Sequence, residues 1–310
     1  MKKKMINLAH LEGLLYEHDL EEKVSGENSK NPGTKFITGT VSIATDDECL
    51  NVVQVHYTYV TEKTAKGDTN RSYTTLKNII DEKIGSVMKV GKENAAKLRV
   101  DSAIGLNDFY SDRNGTEELV SVKRNEGGFI HVSDYLSGDR NRFECDMVIT
   151  NVRIVEGDEE KGTSDKAIVK GAIFDFRNAL LPIELSAIDP GAIDYFTGLE
   201  ASTSNPVFTK VWGNQISTTV VRKITEESAF GAPSVREVRS SNKDFIITGA
   251  NPTTYEWGLE ETMTNEDLTK AISEREVYLA TIKKRRDEYK QSQNKAAANV
   301  AAPTASNFTF

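Results

Sequence analysis
The stretch GLNDFYSDRNGTEELVSVKRNEGGFIH, residues 105–131, gathers side chains with much to offer chemically. Phe109 and Tyr110 precede a DRNG turn, Lys123 and Arg124 return from it, and Phe129 and His131 follow. Aromatic faces stack on bases and Lys or Arg contact phosphates, the combination that holds a single nucleic-acid strand without reading its sequence. Folded as a hairpin, the segment is expected to bring these three pairs onto one face. A second candidate is PVFTKVWGNQISTTVVRKIT, residues 206–225, which has no acid and carries Lys210, Trp212, Arg222 and Lys223. Tyr57 and Tyr59 in NVVQVHYTYV join the set. Strand aromatics also commonly fill cores, so the argument rests on the cluster and not on any one ring.

Other chemistry finds less support. The four histidines, His10, His18, His56 and His131, share no ligand-like spacing with Cys49 or Cys145, so no metal or other cofactor is expected. No GxSxG, HExxH, GxxxxGK[ST] or GxGxxG is present, and the carboxylate clusters GDEEKG and TDDE read as solvated loops, so no enzyme is expected. The cysteines form no CxxC pair and fit a reduced, cytoplasmic protein. No run of about 18 apolar residues occurs. In MKKKMINLAHLEGLLYEHDL, Asn7, His10 and Glu12 interrupt any export-signal core, which favours a short amphipathic or extended arm. The net charge of −8 opposes coating of DNA by bulk attraction, although a groove depends on local charge.

The elements that must position these residues are mostly strands. Period-two alternation runs through FITGTVSI, NVVQVHYTYV (Val53, Val55, Tyr57 and Tyr59 on one face), LRVDSAIGL, residues 119–124 and 129–135. Between them YTTLKNIIDEKIG changes to a helical period through Leu76, Ile79, Ile80 and Ile84. RFECDMVITNVRIVEG, KAIVKGAIFDF and PIELSAI repeat the strand pattern, Pro190 opens a helix with Ala192, Ile193, Phe196 and Leu199 on one face, and strands return to residue 225. Two strand-rich units with one helix each suggest a duplication, and FITGTV and IVKGAI share an apolar-x-Gly-x-apolar step.

The fold class is therefore mainly β with a few helices: one or two OB-like Greek-key barrels, a long C-terminal helix and a disordered tail. The expected divisions are an N-terminal arm (1–34), barrel 1 (35–140), a second β-rich, OB-like unit (141–250), a helix region (251–290) and the tail (291–310). The helix, capped by Thr264 with Glu266 and Asp267 in its first turn, places Leu268, Ala271, Ile272, Leu279 and Ile282 on an apolar face. That face requires cover from the barrels or from a second copy in a homo-oligomer. The run KKRRDEYK is either a solvated face or part of that docking.

KFITGTVSIATDD…LNVVQVHYTYV followed by LRVDSAIGLNDFYS…ELVSVKRNEGGFIH resembles the OB-fold single-stranded-DNA-binding proteins of tailed bacteriophages and their Gram-positive hosts. The resemblance covers about residues 35–136, with a fainter stretch over 141–226. It implies sequence-tolerant binding of single-stranded DNA in replication or recombination, without catalysis. Bacterial members end in an acidic tail with a terminal Phe that recruits partners. Here Phe308 and Phe310 stand at the end without the acids, as the candidate contact for replication or recombination proteins. A virion or assembly protein built from β-domains is the alternative reading.

Overall fold
Among the described residues, the alternating segments join in one sheet of 11 strands. The computed structural model describes residues 4–113, 115–157, 164–226, 234–259 and 262–300. The first unit comprises β1 (Asn7–His18), a short β2 (Glu21–Val24), β3 (Lys35–Ala44), β4 (Val52–Thr61), β5 (Lys97–Arg113) and β6 (Thr116–Ser133). Its sheet runs β1-β5-β6-β4-β3, a further β1–β3 pairing closes the ring, and β2 lies outside β3. Neighbours are antiparallel except β4 and β6, which meet in parallel through Val55–Asn125 and His56–Glu126. Helix α1 (Arg71–Ile80) separates β4 from β5, followed by the short α2 (Val87–Val90).

The second unit repeats this plan with β7 (Asn141–Val155), β8 (Lys166–Phe174), β9 (Leu180–Ala187), α3 (Pro190–Gly198), β10 (Val207–Glu226) and β11 (Ser234–Ala250). The order β7-β8-β9-β11-β10 closes by β10–β7 pairing, and β9 meets β11 in parallel at Ser186–Ile246. In both units the strand order is 1-2-3-5-4 with a helix between strands 3 and 4. That is the OB barrel, a five-stranded Greek-key arrangement, present twice. Gly39 and Gly171, the glycines of the shared sequence step, occupy the second strand of barrels 1 and 2. Each is required by close backbone approach: a Cβ would stand 2.7 Å from Asp19 O at Gly39, whose φ is +130°, and 2.0 Å from Val148 O at Gly171.

Inward positions fill each barrel, and its helix plugs one end. Barrel 1 packs Leu11, Ile37, Val55, Leu98 and Val100 against Tyr73, Leu76 and Ile79 of α1. The Asn70 side chain caps that helix by accepting the Ser72 N–H, and the helix ends at Asp81. Barrel 2 packs Phe143, Met147, Val169 and Leu185 against Phe196 of α3, which opens at Pro190 with Asp189 as N-cap.

The chain start is not an arm. β1 lies at the middle of the sheet, pairing with β3, β5 and β7. His10 and Glu12, which interrupt an apolar reading, are the alternate positions of a strand whose Ala9, Leu11 and Leu15 are buried. His10 Nδ1 lies 2.6 Å from Asp101, and the buried Glu12 accepts the Ser137 N–H at 2.7 Å.

Helix α4 (Asn265–Val300) begins with reciprocal capping between Thr264 and Asp267. The Ala-rich KAAAN segment, a strong helix former, carries it to Val300. Its first turns join Tyr255, Trp257 and Met263 over the outer face of barrel 2, against Phe174 and Phe208. Leu268 and Ala271 belong to this third core, whereas Ile272, expected on the same face, is 45% exposed. No helix among the described residues is long and apolar enough to cross a membrane.

Candidate nucleic-acid interface
Strict alternation puts Tyr57 and Tyr59 on one face, but the ladder between β3 and β4 slips. Gly39 pairs with Tyr57, whereas Ile37 pairs with Val60, so β4 holds an extra residue there. A bulge of one residue turns all following side chains over. Tyr57 therefore points into the core of barrel 1, where burial raises its phenol pKa above the usual range. Tyr59 faces out, 46% exposed, with the Phe36 ring tilted against it at 4.4 Å between centres and its hydroxyl 2.8 Å from Ser25 Oγ. Of this pair, only Tyr59 is placed to meet a ligand.

Tyr59 stands beside a cleft of about 570 Å3, floored by Ala103, Ile104, Gly105 and Leu106 of β5. The cleft opens beyond the point where β4 and β6 part. Its opposite wall is the β8–β9 turn of barrel 2, and Glu274, Arg275 and Tyr278 of α4 complete it. In the turn, Asp175 Oδ1 accepts the N–H groups of Arg177 and Ala179, both at 2.8 Å, and Asn178 takes a left-handed φ of 61°. This Asx-type geometry leaves Phe176 70% exposed at the tip, with the Arg177 guanidinium 4.9 Å from its ring centre. Tyr278 is 48% exposed. Three solvent-facing rings on three elements thus surround one apolar floor.

Charge at the cleft is mostly internally matched. Asp108 accepts two hydrogen bonds from Arg275, at 2.6 and 2.7 Å, with almost nothing of either side chain exposed. Glu126 accepts from Arg124 Nε at 2.7 Å. His56 Nδ1 lies 3.2 Å from Thr40 Oγ1; burial first, and Arg124 second, lower its pKa. Arg177, at the mouth, is exposed.

The 105–131 stretch does form the β5–β6 hairpin, but its aromatic and basic pairs do not meet. Phe129 and His131 pair with Asp101 and Arg99, whereas Phe109 and Tyr110 pair with Val120 and Leu119 near the distal end. At about 3.4 Å per residue, Asp101 and Phe109 are roughly 27 Å apart. Lys123 lies between these sites and ties the barrels together. Its Nζ donates to Glu184 O at 2.5 Å, lies 3.8 Å from Asp244 and sits 5.3 Å from the Phe245 ring centre. Burial lowers its pKa. Next to it, buried Asn125 and Gln215 exchange amide hydrogen bonds of 2.8 and 3.0 Å across the barrels. Lys123 and Arg124 are thus held by protein acceptors.

Lys210 is likewise paired with Glu144 at 2.5 Å, and Trp212 is half-buried over Gly249. Arg222 and Lys223 lie on β10, opposite Val238 and Glu237 of β11; their side chains are outside the described set. Phe308 and Phe310 lie outside the described residues. Phe176, Arg177 and Tyr278 were not legible as site residues. The FDFRN turn held one signal, an aromatic–Arg pair beside a turn-forming Asp.

The basic run of α4 docks. Arg286 reaches Glu117 at 2.6 Å and Asp112 at 2.5 Å, Lys290 reaches Asp112 at 2.9 Å, and Lys283 reaches Glu117 at 3.4 Å. Lys283 Nζ also stands 5.8 Å from the Tyr110 ring centre. Lys284 remains on the solvent side, 4.0 Å from Glu288.

The model of the YorF family matches residues 6–287, spanning both barrels and most of α4. The chain belongs to the YorF family. No curated protein sequence matches this YorF chain. Among solved structures, it is similar to the wild-type single-stranded DNA binding protein from Thermus aquaticus, with 10% identity, a TM-score of 0.46, and coverage of 82% of this chain and 95% of that one. A deletion mutant of the Thermus protein aligns with 10% identity, a TM-score of 0.45, and coverage of 83% and 99%.

Proposed function
We propose that the chain binds single-stranded DNA without base-edge specificity and without catalysis, seating the strand in the inter-barrel cleft. The observation that carries this reading is the set of exposed rings, Tyr59, Phe176 and Tyr278, around an apolar floor beside β4. OB barrels bind oligonucleotides on the face of their second and third strands and with the adjoining loops, and β4 is the third strand of barrel 1. Replication or recombination of phage type, in the host cytoplasm, is the setting suggested by the sequence resemblance over residues 35–136. With Lys123, Arg124 and Lys210 already paired, stacking supplies more of the affinity than phosphate contact.

Fluorescence anisotropy with labelled oligothymidylate, and with duplex as competitor, tests the proposal. The single strand is expected to win the competition. Tyr59→Ala and Phe176→Ala are each expected to weaken binding by about 1–3 kcal/mol, the range for one base–aromatic stack. Duplex binding of equal or greater strength overturns the reading, as does unchanged affinity in the doubly substituted chain.

A further inference from the structure
Beyond the cleft, the β5–β6 hairpin and α4 form a second basic and aromatic surface, and in this structure its charge is turned inward. Three cations from one helix face, Lys283, Arg286 and Lys290, meet two carboxylates, Asp112 and Glu117, near the hairpin tip. The match leaves one positive charge in excess. Tyr110 lies beneath Lys283 on the same face of the ribbon.

The two ends of α4 are held by different physics. Near its start, Ala271 is buried with Met263, and the Arg275–Asp108 pair is almost fully shielded from water. Farther along, Lys283, Lys290 and Asp112 have side chains 52%, 43% and 51% exposed, around Glu117 at 27% and Arg286 at 16%. Exposed ion pairs contribute little net stability and are screened by salt. The distal half of α4 can therefore exchange carboxylate partners for other anions at less cost than the proximal half, which stays anchored.

We propose that Lys283, Arg286 and Lys290 form a phosphodiester-backbone site that Asp112 and Glu117 mask in the free protein. A strand leaving the cleft past Tyr278 would meet this surface, since both lie along α4. Its phosphates would displace the carboxylates and gain the favourable release of their own counterions. Oligonucleotide binding at this surface rests on the reading of the cleft as a single-strand site; the masked anion site itself can be tested without that reading.

The experiment measures oligothymidylate affinity across a salt series for the full chain, for Asp112→Asn with Glu117→Gln, and for that variant further carrying Lys283→Ala, Arg286→Ala and Lys290→Ala. The Arg275–Asp108 anchor is untouched, and a thermal melt of each variant checks that the barrels remain folded. Unmasking is expected to tighten binding about tenfold at low salt and to steepen the salt slope by about 2, from roughly 0.7 per phosphate over three contacts. Removing the three cations is expected to abolish that gain. Equal or weaker binding by the folded unmasked variant overturns the proposal and leaves the ion pairs as a brace. If neither the full chain nor the unmasked variant binds oligothymidylate, the single-strand reading fails, and inorganic polyphosphate replaces it as probe. Tighter polyphosphate binding after unmasking then supports the masked site, and no difference overturns it.

Discussion

Barrels 1 and 2 share strand order, helix position and a glycine in the second strand, but they equip the arm between strands 4 and 5 differently. The β5–β6 arm presents Asp108, Asp112 and Glu117 to α4, which supplies Arg275, Lys283, Arg286 and Lys290. The β10–β11 arm has cations in its own strands, Arg222, Lys223, Arg236 and Arg239. Lys123 and Arg124 of the β5–β6 arm are held at its base by Glu184 and Glu126, so toward its tip this arm takes positive charge from a distant helix, whereas the β10–β11 arm carries cations in its own strands. A helix can be displaced from its arm, whereas strand residues remain with theirs. The two barrels thus share a topology but differ in how their arms are supplied with charge.

The largest effect expected on this asymmetry comes from Arg275→Ala. It leaves Asp108 buried with the Ser121 hydroxyl but without its ion partner, and breaking a buried pair costs about 3–5 kcal/mol. Urea denaturation should show that loss, with α4 losing amide protection along its distal half; a change below about 1 kcal/mol would mean that the helix brace is dispensable. A smaller loss, about 1–3 kcal/mol, is expected for Lys123→Ala, which removes the donor to Glu184 O at the barrel junction. The salt slope of oligothymidylate binding should stay unchanged in that variant, because Lys123 is already occupied. A flatter slope would return Lys123 to the binding surface.

The smallest effect is on pH dependence. Lys290, followed by Arg286, holds the Asp112 carboxyl below its ordinary range. The folded value is depressed, so its stabilising contribution is present above the unfolded value of about 3.9 and is lost as pH falls through the folded value. Amide protection of residues 283–290, corrected for the intrinsic exchange rate, should therefore hold from neutrality to about pH 4 and decline below it. A transition near pH 6.5 would instead assign the arm's stability to a histidine.

Local signals in the sequence were strong where one segment determined its own structure. Pro190 after Asp189 opens α3, Thr264 caps α4, and Gly39 and Gly171 mark equivalent strands. The aromatic site was less legible because a bulge depends on two strands. Nothing within NVVQVHYTYV shows that Tyr59 turns away from Tyr57; the slip arises from pairing with β3 across Gly39. Lys123 and Arg124 have the composition of a phosphate site, but Glu184 and Glu126 hold them through contacts that composition does not reveal. The inward reach of Arg286 and Lys290 to Asp112 also joins residues far apart in the chain.

The central place of β1 has a consequence for how the molecule is made. Ala9 is hydrogen-bonded within ladders that align it with Ser102 on one side and Phe143 on the other. Among the strands, β1 is the first to leave the ribosome, yet both of these partners are synthesised much later. Barrel 1 cannot close until β5 and then β6 have emerged, and the seam to barrel 2 waits for β7. Long-range pairings of this kind slow folding and keep edges uncovered meanwhile. During that interval the alternating apolar residues of β1 and β3 depend on dilution, or on a chaperone, to avoid pairing with another nascent chain.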